Sequence, residues 1–353
     1  MKSTYHSFAA ALLLTALHIA VVGHSPLCAG EAVVTEIATP DKVVEKGMTA
    51  LLKLQQPNGS FDSGAGITAL CGMALLSGGH TPTRGVHQAA SRNALKFVLS
   101  AQDKVSGYLG ADHGNMYSHG FATLYLAECY GMSPDPALLR SLQAAIDLIH
   151  HSQNSEGGWR YQPAPVDADI SVTICQVMAL RAAFNVGVGG VPSQESIARA
   201  ITYVRRCANG DGSFGYQSGG GGGGGGGWGA NGAEGIPRCA AGAMSLIGSG
   251  ITNLSDSVLG PAMRFLRTHV NEHIQSKSSY YWYGQYYAAQ ALFHSPEPKD
   301  WDAYWAKAFP AFAKLQESDG LWTRSDSSGP AFNTAMALII LQIPNNYLPI
   351  FQR

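Results

Sequence analysis

The sequence predicts an all-α fold built from six helical hairpins, each pairing one outer with one inner helix. Three observations predict it. A short turn motif, ending in Gly and then an aromatic residue, recurs about every 50 residues. An amphipathic, charge-bearing stretch precedes each turn. A stretch almost free of charge, rich in Ala, Gly, Ser, Thr and Cys, follows each one. Amphipathic helices lie on a surface and helices apolar all round are buried. No hairpin can bury its inner helix alone, so neighbouring hairpins must pack side by side.

The turn copies, in order, begin with Gln55, followed by Asn58-Gly59-Ser60-Phe61. A weak copy runs from Gln102 to Gly107-Tyr108. Gln153 with Glu156-Gly157-Gly158-Trp159 is fuller, Asp211-Gly212-Ser213-Phe214 lacks the Gln, and Gln316 with Asp319-Gly320-Leu321-Trp322 is complete. The aromatic positions 61, 108, 159, 214 and 322 are separated by 47, 51, 55 and 108 residues, so an eroded fifth copy is expected near residue 268. Asn or Asp before Gly suits a tight corner with positive φ. The aromatic covers the corner, and the Gln is placed to bond backbone groups left free at the helix end. Outer helices are expected at 41–55, 85–102, 135–153, 193–207, 256–270 and 299–316; inner helices at 66–78, 119–132, 170–186, 235–248, 280–294 and 330–342.

Composition narrows the function. Of 353 residues, 46% are hydrophobic and 13% charged, which excludes a disordered chain. Lys+Arg is 23 against Asp+Glu 24, so no basic field exists to hold nucleic acid. Residues 1–29 read as a cleaved export signal: Lys2, an apolar stretch from Phe8 to Val22, and Ala29-Gly30 as the cleavage point. This places the protein in the periplasm or outside the cell. A lipid anchor on Cys28 is disfavoured by the bulky Leu27 before it. Cys71, Cys129, Cys175, Cys207 and Cys239 remain, read as small buried thiols or as one disulfide, Cys207–Cys239, with three thiols over.

The motif and its period resemble the prenyltransferase and squalene oxidase repeat, the family of squalene-hopene cyclases, class II terpene cyclases and protein prenyltransferase β subunits. The resemblance spans about residues 41–344. It implies an (α/α)6 toroid, six inner helices inside six outer ones, with a tapering central cavity lined by inner-helix ends. Residues 218–234 are then a Gly-rich loop insert and 345–353 a tail. His119-Gly120 and the block Asp167 to Thr173 are similar to single-toroid, exported bacterial members.

Asp167-Ala168-Asp169, just before the third inner helix, is the most pointed candidate for chemistry. Class II cyclases carry Asp-x-Asp-Asp at a similar place. The resemblance gives Asp169 the position of the acid that protonates an alkene or epoxide, and Asp167 that of its neighbour. Ile170 replaces the third Asp, which weakens the match. Read from the residues alone, Asp169 is equally the N-cap of the helix that follows. Tyr280, Tyr283 and Tyr287 open the fifth inner helix, where Tyr283 and Tyr287 share a face that Tyr280 extends; Tyr161 lies near the Asp pair. Aromatic faces stabilise carbocations, and they also simply pack. His119 is either a polar group in the cavity or a partner for nearby backbone.

The function expected from these residues is that of a terpenoid-cyclase-like toroid with an isoprenoid or other apolar small molecule as ligand. The alternative is a non-catalytic exported toroid that binds a protein or glycan by its rim loops. A carbohydrate enzyme ranks third, because inner-helix starts offer mainly Asp167 and Asp169, plus Glu234 in the glycine-rich loop. No cofactor and no metal are expected. The Asp-x-Cys pair of prenyltransferase zinc sites is missing, and His269 to His273, an H-x-x-E-H match, lies on an outer helix without protease context. The glycine run 219–227 lacks the Lys and strand of a phosphate loop.

Overall fold

The computed structural model describes residues 38–352 except 62–63, 111–113, 220–231 and 324–328. The predicted export segment and most of the Gly-rich insert lie outside the described residues. Twelve α-helices are found among the described residues: α1 (Pro40–Lys53), α2 (Ala65–Ser77), α3 (Gln88–Ser100), α4 (Met116–Met132), α5 (Pro136–Ser152), α6 (Ile170–Asn185), α7 (Gly190–Cys207), α8 (Ile236–Gly248), α9 (Leu259–Gln275), α10 (Tyr281–Phe293), α11 (Lys299–Leu315) and α12 (Gly329–Gln342). Odd-numbered helices form the outer ring and even-numbered ones the inner ring. Each inner helix packs on the next, and α12 packs on α2, so the ring closes. This is the (α/α)6 toroid.

The inner helices are buried on nearly every side because they carry almost no charge and have small residues where backbones meet. A Cβ on Gly120 of α4 would stand 2.8 Å from Cys175 Cβ on α6, so the small residue sets that helix spacing. Outer helices bury one stripe only; α5 buries Leu138, Leu142, Ala145, Ile146 and Ile149, at helical spacing. Its start is fixed by Asp135, whose side chain accepts from Ala137 and Leu138 N–H, with Pro136 as first helical residue.

The recurring turn does more than break the chain. Its Gln donates to the carbonyl of the turn's own Gly and to a carbonyl of the next outer helix. Gln55 bonds Gly59 and Ala90, Gln102 bonds Gly107 and Ser141, Gln153 bonds Gly157 and Ser196, and Gln316 bonds Gly320 and Val43. The turn Gly is equally constrained: Gly157 has φ +101°, and a Cβ there would lie 2.3 Å from Arg199 O. The corner aromatic is buried. Trp159 and Trp322 donate from Nε1 to Ile149 and Phe312 carbonyls of the preceding outer helix, each 2.8 Å away.

Two sequence assignments are corrected. In the second repeat the corner position belongs to Leu109, fully buried, and not to Tyr108. Asp103 to Ser106 accommodates one extra residue, stabilised by Asp103 Oδ1 accepting from Val105 and Ser106 N–H. The fifth corner lies at residues 276–280 rather than near 268, because α9 runs on to Gln275. There a stacked pair, His273 and Tyr281 with ring centroids 5.6 Å apart, fills the corner. The five described cysteines are all buried free thiols, so the Cys207–Cys239 disulfide is not formed.

Candidate functional site

Asp169 sits where two pieces of local structure meet. Its N–H donates to Trp159 O, which ties it to the third corner, and its Oδ1 accepts from Ser171 and Val172 N–H at 2.8 Å each. It is therefore the N-cap of α6. Its other oxygen, Oδ2, is buried without a hydrogen-bond partner. Arg160 Nε approaches to 3.8 Å, beyond hydrogen-bond reach. Burial raises the Asp169 pKa to about 6, against the opposing pull of Val172 N–H, the nearby Tyr216 hydroxyl, Ser171 N–H and Arg160. The Tyr216 hydroxyl, which also pairs with Tyr161 Oη, favours the ionised form.

Asp167 does not join Asp169. It is exposed and forms a 2.7 Å ion pair with Arg160 Nη1. The guanidinium of Arg160 in turn lies over the rings of Tyr161 and Tyr216, 5.2 and 5.7 Å from their centroids. The two tyrosines are repeat-equivalent. Tyr161 O accepts from Met116 N–H, the first residue of α4, and Tyr216 O accepts from Ile170 N–H, the first residue of α6. Each loop thus stitches its aromatic onto the start of the preceding inner helix.

From this mouth a run of rings leads inward. Tyr161 meets Tyr117 at 6.1 Å, Tyr117 meets Tyr283 at 6.3 Å, Tyr283 meets Tyr287 at 5.0 Å, and Tyr287 meets Tyr286 at 4.8 Å. Tyr283 donates its hydroxyl to Ser171 O, in the first turn of α6, and Tyr287 Oη contacts Cys175 Sγ at 3.3 Å. Asp169, Tyr161, Tyr283 and Tyr287 are therefore connected, while Tyr280, one residue before α10, stays 51% exposed.

His119 follows the second of its two sequence readings, a partner for nearby backbone. Both its ring nitrogens are engaged by backbone: Nδ1 accepts from Leu109 N–H at 3.1 Å, and Nε2 donates to Ala145 O of outer helix α5 at 3.0 Å. The ring points outward, fully buried, and burial lowers its pKa to about 4. It takes the part that Thr68, Thr173 and Thr334 play in other repeats, where a hydroxyl accepts the corner N–H of Phe61, Trp159 and Trp322.

Sequence reasoning missed Arg160, Tyr117 and Tyr216. Tyr216 was findable, because it lies 55 residues after Tyr161, one repeat on. Among the described residues no group of three or more His, Cys, Asp and Glu converges as a metal site. His273 of the H-x-x-E-H match is buried against Gln285, while His269 pairs with Glu272 at the surface. No helix among the described residues is long and apolar enough to cross a membrane.

A family model described as the prenyltransferase alpha-alpha toroid domain matches residues 67–282. No curated protein matches the sequence. Among solved structures, the chain is similar to the type II terpene cyclase MstE from Scytonema at TM-score 0.58 and 16% identity, over 88% of this chain and 99% of that one. It is similar to the cellobiose 2-epimerase of Spirochaeta thermophila at TM-score 0.62 and 14% identity, over 88% and 98%. It is also similar to the α-1,6-mannanase GH76A of a Salegentibacter species at TM-score 0.63 and 10% identity, over 86% and 98%. At these identities the likeness is one of fold, and the fold carries a terpene cyclase, an epimerase and a mannanase alike.

Proposed function

Because the chain belongs to the prenyltransferase alpha-alpha toroid family, we propose that it is a single-toroid, exported member that binds an isoprenoid-like apolar chain and protonates it from Asp169. One observation carries the reading: the buried Oδ2 of Asp169 accepts no hydrogen bond, with the Arg160 guanidinium 3.8 Å away, and lies beside the tyrosine run. A capping role uses Oδ1 alone. The raised pKa keeps a proton on the group in mildly acidic medium, and Arg160 and the helix N-terminus stabilise the carboxylate left behind. The proton passes from Oδ2 to one carbon of a C=C bond. The cation formed is attacked by the next π bond, and loss of a proton at the end leaves an isomer of the substrate. Tyr161, Tyr283 and Tyr287 supply the ring faces along its path. MstE, with a similar fold, has been solved with geranylgeranyl dihydroxybenzoate as substrate, a prenylated molecule of the class proposed here. Residues 1–29 direct the protein to the periplasm or beyond.

The test is incubation with squalene or geranylgeranyl diphosphate and mass-spectrometric search for cyclised product. Wild type yields product and Asp169→Asn, which retains a capping oxygen, does not. Equal products from both, or none from wild type, end this reading. A second reading, a non-catalytic toroid that binds a protein or glycan at its rim, is favoured by Asp167, which faces solvent beside Arg160 and not the inner ring.

A further inference from the structure

The inner end of the tyrosine run, Tyr286, meets a ring from outside the twelve helices, Phe351, as well as Phe121 of α4. After α12 the chain makes a 3-10 turn at Ile343–Asn345, reverses at Asn346 with φ +54°, and enters a second 3-10 turn, Pro349–Phe351. Leu348, Ile350 and Phe351 are almost completely buried. The second turn packs on α4 and α6, and Phe351 also meets Tyr286 of α10 at 6.5 Å. These are the second, third and fifth inner helices. A segment touching all three lies on the axis of the ring. Tyr286 also meets Phe121 of α4 at 6.2 Å, so the same ring that receives Phe351 spans the inner wall.

The segment is held there mainly by apolar burial. Among the described residues its polar tie to the ring is one long bond, Ile350 N–H to Glu128 Oε2 at 3.5 Å. Glu128, on α4, is 1% exposed, and its second oxygen has no hydrogen-bond partner. A carboxyl group in such surroundings is costly in a wall whose sole purpose is packing. It is an unspent polar group facing a plug made of apolar side chains.

We propose that Ile350 and Phe351 occupy a binding site of their own ring: an apolar pocket at its inner end that takes the far end of a linear isoprenoid once the Pro349–Phe351 turn swings out, with Glu128 as the polar group at its base. The inference rests on the reading of an isoprenoid ligand and names where the chain of that ligand ends. Phe351 is then a stand-in for an isoprene unit, and the turn is a stopper that a ligand must displace. Weak polar attachment and strong apolar fit suit a segment exchanged for a ligand of like chemistry.

The experiment measures retention of geranylgeraniol by the full-length chain after gel filtration, quantified by mass spectrometry. Phe351→Ala and the double variant Ile350→Ala with Phe351→Ala empty the site while keeping its walls, and retention is expected to rise at least tenfold over wild type. A synthetic peptide of residues 347–352 added in excess lowers it again. Unchanged retention in both variants, with helix content intact by circular dichroism, overturns the proposal. If the double variant unfolds, Phe351→Ala alone decides. Asp169→Asn separates the two readings: combined with Phe351→Ala it is expected to retain the alcohol as well as Phe351→Ala does. Retention without turnover defeats the cyclase and spares this site; turnover with retention indifferent to Phe351 does the reverse.

Discussion

The side-chain amide of Gln316 donates to the carbonyl of Val43 at 3.0 Å, joining residues 273 positions apart in the chain. This bond is the closing member of a set that Gln55, Gln102 and Gln153 form between successive repeats. The turn motif is thus an inter-repeat clasp, and a ring needs one at its seam. Lys46 Nζ adds a bond across the same seam to Glu317 O at 3.0 Å.

Replacing Gln316 by Ala removes two hydrogen bonds and leaves two carbonyls, those of Gly320 and Val43, without that donor. A net bond contributes about 1 kcal/mol and an unsatisfied buried acceptor costs about 1–3 kcal/mol, so a loss of about 2–4 kcal/mol is expected in urea unfolding. Gln153→Ala loses a comparable amount but leaves the seam closed. Hydrogen exchange separates them: Gln316→Ala loosens α1 and α12 first, Gln153→Ala α5 and α7. Identical exchange patterns would mean the seam has no separate stability.

Asp169 has two oxygens with two jobs, and two variants divide them. Asp169→Ala loses the cap on Ser171 and Val172 N–H and costs about 1–2 kcal/mol. Asp169→Asn keeps the cap and removes the ionisable group. With a native pKa of about 6 against 3.8 unfolded, the native state holds the extra proton between those values, so stability falls as pH rises through that window. Across it the loss is about 3 kcal/mol at about 1.4 kcal/mol per unit. Asp169→Asn is therefore expected to match wild type at pH 4 and to exceed it at pH 7. The comparison is made by thermal melting at both pH values.

The fold was legible in the sequence because its signal repeats: Gly59, Gly157 and Gly320 recur with their glutamines, and charge-poor helices alternate with charged ones. Where the repeat is eroded, spacing misled. Dividing 108 residues evenly placed the fifth corner inside α9, since nothing in Ser276 to Ser279 marks a turn as Gly would. The cap at Asp169 was legible from the helix that follows it. The separation of Asp167 from Asp169 was not, because it depends on Arg160 drawing Asp167 outward. Nor was Phe351 at the axis, because a distant segment filling a ring leaves no local pattern.

His119 stands where three other repeats have Thr, which yields a test of its structural role. Its pKa of about 4, lowered by burial, means that the unfolded chain binds a proton near pH 6.5 that the native chain refuses. Stability falls as pH drops from about 6.5 to about 4, by about 3 kcal/mol at about 1.4 kcal/mol per unit. His119→Thr keeps an acceptor for Leu109 N–H but loses the bond to Ala145 O. It is expected to be less stable than wild type at pH 7.5 by about 1–3 kcal/mol and to lose that acid dependence. Urea titrations at pH 4.5 and 7.5 check this, and a variant that keeps the wild-type acid dependence would place the proton elsewhere.

Glu128 runs in the opposite direction. Burial raises its carboxyl to about 8, with the Ile350 N–H opposing only weakly. Between its unfolded value of 4.5 and 8 the native state holds one proton more than the unfolded chain, so stability declines with rising pH and levels off above 8. At about 1.4 kcal/mol per unit the whole span is worth about 5 kcal/mol. Glu128→Gln is similar in shape, still accepts from Ile350, and cannot ionise. It is expected to melt near the wild-type temperature at pH 4.5 and well above it at pH 8. Differential scanning calorimetry at the two pH values measures both differences. A Glu128→Gln variant that tracks wild type at both would mean that water or a cation already reaches the carboxyl behind Phe351.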